Sequence, residues 1–190
     1  MNASADASGG PEFARMIEEF RRLQDSVSVA HPPSGVIVDA TQRLATIGAL
    51  LAPYAAVEEQ RIAGRRWDLD GRGQTFVPPI SIDYSDSQRR TGRVAFSPFH
   101  LGSGGVVNGG VIPLVFTEML GLFANSSGRP FGRMAYLNVD FKAPIYVGTE
   151  VGIEAVLLKV EGRKIFVVGR MTDAGADLAN ANALFVVPRV

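Results

Sequence analysis

Cysteine is absent from the 190-residue chain, so disulfides, thiolate zinc sites and cysteine nucleophiles are all excluded. Histidine occurs only at His31 and His100, too few and too far apart to build a ligand cluster, and no metal centre is expected. Neither sign of charge is in excess. With 19 Lys plus Arg against 19 Asp plus Glu, the chain has no long-range field to gather nucleic acid or an anionic membrane, so any anion site has to be local. No apolar run approaches the length of a membrane span, and Met1 to Gly10 lacks the basic and apolar segments of a signal sequence. The expectation is a cytoplasmic protein whose partners include no nucleic acid and no membrane.

What is present suffices for one domain with a real core and an N-terminal extension. Met1 to Gly10 is small and polar and cannot bury enough surface to offset its ordering entropy. From Pro11 onward Phe13, Met16, Ile17, Phe20, Leu23 and Val27 recur at helical spacing, with Glu18, Glu19, Arg21 and Arg22 between them, which predicts an amphipathic helix. His31-Pro32-Pro33-Ser34-Gly35 ends it. A second helix is expected behind Asp39, capped by that residue with Gln42 three positions on, and carrying Leu44, Ile47, Leu50 and Leu51 on one side before Pro53.

Strand signals dominate the remainder. Gln74 to Tyr84 and Arg90 to Ser97 flank the polar turn Ser85 to Gln88; Met134 to Ala143, Glu150 to Val160, Lys164 to Met171 and Asp177 to Val187 follow at regular distance. Connections this short permit only antiparallel neighbours. Ala135, Leu137, Val139 and Phe141 alternate with Tyr136, Asn138, Asp140 and Lys142, so one face packs and the other is wet or meets a partner. The last segment is apolar on both faces and reads as a central strand.

Between these strands lies Gly102 to Ala124, a glycine-rich loop running into a helix that is apolar on every face. Such a helix is expected to be wrapped by other structure. Pro113 falls in its first turn, where the missing N–H has no helical partner anyway, which puts the start near Gly110. The amides of Gly109, Gly110 and Val111 would then face outward at the positive end of the helix dipole and receive a developing oxyanion. Only Thr117 and Glu118 interrupt the apolar surface.

Gly105-Val106-Val107-Asn108-Gly109-Gly110-Val111, Phe116-Thr117-Glu118-Met119-Leu120-Gly121, Ala135 to Pro144 with Val147-Gly148-Thr149, and Val160-Glu161-Gly162-Arg163-Lys164 occur here in an order and spacing that resemble the hotdog-fold thioesterases of the phenylacetate-degradation type, relatives of 4-hydroxybenzoyl-CoA thioesterase. The resemblance implies an α+β hotdog fold: an antiparallel sheet wrapped around a central buried helix, spanning 61–190, with a tail and helical extension over 1–60. It also implies acyl-CoA thioester hydrolysis with no cofactor beyond the coenzyme A of the substrate, and a homodimer or dimer of dimers whose sites draw on both subunits.

The family pattern places a His before the glycine pair and an Asp or Glu nine positions later; here these are Asn108 and Thr117. A carboxylate there can activate water or attack the thioester carbonyl, which neither Asn nor Thr does unaided. In the catalytic reading Glu118 is the base, Thr117 holds the water, and Asn108 with the Gly109 and Gly110 amides polarises the carbonyl. In the competing reading Glu118 is a contact at the subunit interface. His100, Gly105 and Gly121 are candidate substrate contacts, while Arg129, Arg133, Arg163 and Lys164 are candidates for the coenzyme A phosphates. Three functions follow: an acyl-CoA thioesterase, a relative that binds acyl-CoA without hydrolysing it, or a hotdog hydratase or dehydratase, whose His and carboxylate signature is missing.

Overall fold

Six antiparallel strands and a helix are packed together over residues 80–186 in the computed structural model, which describes residues 9–189. In chain order the elements are α1 (Gly10–Val29), α2 (Ser34–Leu51), β1 (Ile80–Ser85), β2 (Arg89–Ala95), α3 (Val111–Ala124), β3 (Arg133–Phe141), β4 (Glu150–Glu161), β5 (Lys164–Asp173) and β6 (Ala176–Val186). The chain divides into two compact units that meet between Gly73 and Gln74, where the sequence reading drew its boundary at 60.

In the second unit the strand order is β1-β2-β4-β5-β6-β3, with every neighbouring pair antiparallel. β6 is interior, as its two apolar faces foretold, and β3 is an edge. What seats α3 on this sheet is a row of small residues. Ala155 on β4 lies opposite Gly169 on β5, which lies opposite Ala181 on β6. A β-carbon built on Gly169 would come within 2.9 Å of two Phe116 ring carbons and 3.0 Å of Leu120. The helix therefore descends onto the strands until its aromatic rings fill the space where side chains would stand, and Phe116, Met119, Leu120 and Phe123 become fully buried.

α3 is not wrapped on every side, as its composition predicted. Its residues facing the sheet are buried, whereas Thr117 is exposed and Leu114, Glu118 and Gly121 are half-buried. These four fall on the side opposite the buried one at helical spacing. The expected alternation in β3 is also displaced at one residue: a bulge lets Met134 pair with Phe185 and Tyr136 with Leu184, leaving Ala135 without a partner.

In the first unit Arg66 is only 4% exposed; it donates to the Gly10 carbonyl at 2.8 Å and forks onto Asp68 at 2.7 and 2.6 Å, which fixes the start of α1. The polar tail foreseen over 1–10 lies outside the described residues apart from Gly9 and Gly10. α2 differs from expectation in two ways. It begins at Ser34 rather than behind Asp39, because Pro33 already holds the extended conformation of a cap, and Asp39 sits within the helix paired with Arg43 at 2.9 Å. This longer helix makes Ser34–Tyr54 long and apolar enough to cross a membrane by length and composition, with mean hydropathy 1.2, which corrects the expectation that no stretch comes near such a length. None of its residues is buried.

The seating of α3 is tested by Gly169→Ala. Overpacking beneath Phe116 and Leu120 is expected to cost about 1–3 kcal/mol, read as a lower midpoint in urea or thermal unfolding; an unchanged midpoint would mean that the helix has room to rise.

Candidate functional site

The loop leading into α3 is fixed by backbone hydrogen bonds before any side chain acts. Gly102 donates to the Val106 carbonyl at 2.8 Å, Val107 to Ile145 at 2.8 Å, and Val147 to Gly105 at 3.0 Å. Gly104 and Gly105 take φ of +60° and +80°, the left-handed region that a side chain strains. Gly105 thus shapes the turn and anchors the segment after β3. His100 sets the other side. The Ser97 amide donates to His100 Nδ1 at 3.0 Å, which leaves the ring proton on Nε2, and the His100 carbonyl accepts the Asn108 amide at 2.8 Å. The imidazole is a neutral donor tied to the loop through its own backbone.

Asn108 organises the mouth of the helix. Its Oδ1 accepts the Gly110 amide at 2.9 Å, and its carbonyl accepts the Val111 amide at 2.9 Å. Two of the three amides expected to face outward are therefore already taken, Gly110 by the Asn108 side chain and Val111 by the Asn108 backbone carbonyl. What remains is the Gly109 amide, which makes no hydrogen bond among the described residues, together with the Asn108 Nδ2 donors. Both belong to exposed residues, and nothing stands within 4 Å of a β-carbon built on Gly109. Two donors at the positive end of α3, with open space before them, suit a carbonyl oxygen that gains negative charge.

Thr117 and Glu118 lie about two turns further along α3, on the order of 9 Å up its axis. The Thr117 hydroxyl donates to the Pro113 carbonyl at 2.9 Å, so its oxygen is left as an acceptor on the open side of the helix. Glu118 is half-buried beside it and Gly121 follows one turn on. The structure thus puts Thr117, Glu118 and Gly121 along one open strip, with Asn108, Gly109 and Gly110 at its lower end.

The four candidate cations gather elsewhere. Arg129 donates to the Phe123 and Ala124 carbonyls at 2.6 and 3.0 Å, closing the C-terminal end of α3. Arg133 and Lys164 both lie opposite Val186, one from each side, and Arg163 donates to the Val187 carbonyl at 2.7 Å. All four belong to the end of the sheet away from the glycine loop. Arg133 and Lys164 share the face turned from α3, because Ile165 and Phe185 face the helix and are buried. Sequence reasoning missed Arg90, which the fold brings to the same end on the helix side. Its position in a basic run next to Arg89 was visible, but its surroundings were not.

Residues 104–179 match the model of the thioesterase superfamily. Over 106 residues the chain is 34% identical to acyl-coenzyme A thioesterase THEM4 of Rattus norvegicus and 33% identical to that of Mus musculus, in each case over 54% of this chain and 45% of the relative. The chain thus spans about half the length of the curated relatives it matches. Among solved structures, a thioesterase superfamily protein superposes with a TM-score of 0.79 at 23% identity, over 92% of this chain and 90% of that one. The protein smu.793 from Streptococcus mutans UA159, solved bound to acetyl CoA, gives 0.56 at 15% identity over 60% and 92% of the two chains. At these identities the likeness establishes the fold, and the antiparallel sheet around α3 is the hotdog.

The role of Asn108 in closing the loop is separable from any chemistry. Asn108→Ala removes the acceptor of the Gly110 amide and is expected to cost about 0.5–2 kcal/mol. Asn108→Asp keeps that acceptor, adds a favourable charge at the helix start, and should leave the unfolding midpoint at or above that of the parent.

Proposed function

We propose that this chain, whose residues 104–179 carry the thioesterase-superfamily signature, hydrolyses an acyl-CoA thioester to the free acid and coenzyme A. The observation that carries the reading is the pair of uncommitted donors, the Gly109 amide and the Asn108 carboxamide, in open space at the positive end of α3. In the proposed reaction the thioester oxygen lies against these donors. Water adds to the carbonyl carbon as the Glu118 carboxylate takes its proton, with Thr117 Oγ1 accepting a second hydrogen bond from the same water. The C–S bond then breaks and the proton passes to the leaving thiolate. His100, held neutral with its proton on Nε2, serves as a further donor near the loop.

A second reading is supported by Thr117. Its hydroxyl is spent on Pro113, and no carboxylate occupies that position. In this reading the same donors hold an acyl-CoA without cleaving it. For either reading we propose a homodimer. β3 is a nine-residue edge strand whose outer backbone groups have no partner strand among the described residues, and a second copy of the chain would satisfy them while covering the open strip of α3.

Release of free thiol from a panel of acyl-CoAs separates the two. Hydrolysis is expected in the parent, to fall about 10²-fold or more in Glu118→Gln and about 10²-fold in Asn108→Asp, which keeps the fold but loses the donor. Saturable binding without release in the parent, with activity appearing in Thr117→Asp, would select the binding reading.

A further inference from the structure

At the C-terminal end of α3 two arginines, Arg90 and Arg129, neighbour each other, and among the described residues no carboxylate pairs with either. Arg90 is on β2 opposite the fully buried Ala155, so it points to the helix side of the sheet. Its Nε donates to Ser85 Oγ at 3.0 Å; among the described residues its two terminal nitrogens have no hydrogen bond and no acidic group forms an ion pair with it. Burial and the neighbouring Arg129 both push the Arg90 guanidinium below its ordinary value, and among the described residues no acidic side chain offsets them. A half-buried cation facing another cation is costly unless something of opposite charge arrives.

Arg129 is held ready for it. Its Nε, Nη2 and Nη1 donate to the carbonyls of Ala124, Phe123 and Ser87 at 3.0, 2.6 and 2.9 Å, and the fork lies 4.9 Å over the Phe123 ring. These bonds use three of the five guanidinium N–H groups and fix the plane of the remainder. Arg129 is balanced in part by the negative end of the helix dipole, but Arg90 has no such partner.

We infer that Arg90 and Arg129 together bind a phosphate ester, and that in the functional complex it belongs to the nucleotide end of coenzyme A. The assignment of the ligand rests on the acyl-CoA reading above. Guanidinium forks suit phosphate oxygens, since each can give parallel hydrogen bonds to an anion of more than one negative charge. The distance is suitable as well. α3 is about 20 Å long at ~1.5 Å per residue, and it separates the Gly109 amide at one end from the arginine pair at the other. An extended pantetheine arm, which separates the thioester from the phosphates, is of comparable length.

The test compares an acyl-CoA with the same acyl group on pantetheine, which has no phosphate. Arg90→Gln is expected to raise KM for the acyl-CoA about tenfold relative to the acyl-pantetheine, the loss of one charge-assisted bond, and Arg90→Lys to recover part of it. An equal KM change on both substrates, or none, would overturn the site. Calorimetry with adenosine 3′,5′-bisphosphate reads the same site without hydrolysis. Binding by the parent that is lost in Arg90→Gln supports the site even if no thioester is cleaved, in which case only the hydrolytic reading fails. Binding equal in both proteins overturns the site, and inorganic phosphate bound as tightly as the bisphosphate overturns its assignment to coenzyme A. Arg90→Gln should keep an unfolding midpoint close to the parent's, because among the described residues Arg90 has no ion pair to lose, only its bond to Ser85 Oγ.

Discussion

The close contact of α3 with the sheet is the constraint on which the rest depends. It exists because Ala155, Gly169 and Ala181 form a row without bulk across three strands, so that Phe116 and Leu120 can sit where side chains would otherwise project. Burial of four large side chains from one helix face holds α3 in place. Once the helix is fixed, so are both of its ends. One end presents the Asn108 loop and the positive dipole; the other presents Arg129 closing the last turn beside Arg90. In the proposed complex a thioester ligand would set its reacting carbonyl at the first end and its phosphates at the second.

Asn108 illustrates how a single residue sets the chemistry available. Its carboxamide is divided: the oxygen closes the loop on Gly110, which leaves the nitrogen to donate. In the proposed hydrolysis this would serve the oxyanion side and do nothing for water activation, which the proposal assigns to Glu118, one position beyond Thr117. The two positions therefore carry different weight. In the proposed reaction the donor side combines a backbone amide with the Asn108 side chain, whereas the base would act from a neighbouring place on the helix surface.

Much of the fold was legible because period and punctuation agree. Each strand from β3 to β6 begins and ends within two residues of its expected limits, since turns such as Glu161-Gly162 and Asp173-Ala174-Gly175 are marked by the residues they need. Asp39 was misread as a cap because an acidic residue before an apolar periodic run has the same appearance whether it begins a helix or pairs four residues on with Arg43. The bulge at Ala135 leaves no trace in the alternation. The open side of α3 was likewise hidden, because an apolar helix looks the same whether its last face meets its own chain or something else. At the site, the glycine loop, Asn108 and Thr117 could be singled out from sequence, yet the use of the Gly110 amide by Asn108 could not, since it depends on a side-chain torsion. Arg90 escaped for a related reason: its isolation from carboxylates is a property of three-dimensional neighbours.

The oxyanion site can be tested most directly by following backbone amide resonances while the protein is titrated with a coenzyme A ketone, in which a methylene separates sulfur from the carbonyl so that no cleavage occurs. The Gly109 amide is expected to move downfield as it takes up a hydrogen bond, with the Gly110 amide, already bound to Asn108 Oδ1, shifting far less. Saturation of the protein by the ketone with the Gly109 resonance unmoved would contradict an oxyanion site at the start of α3.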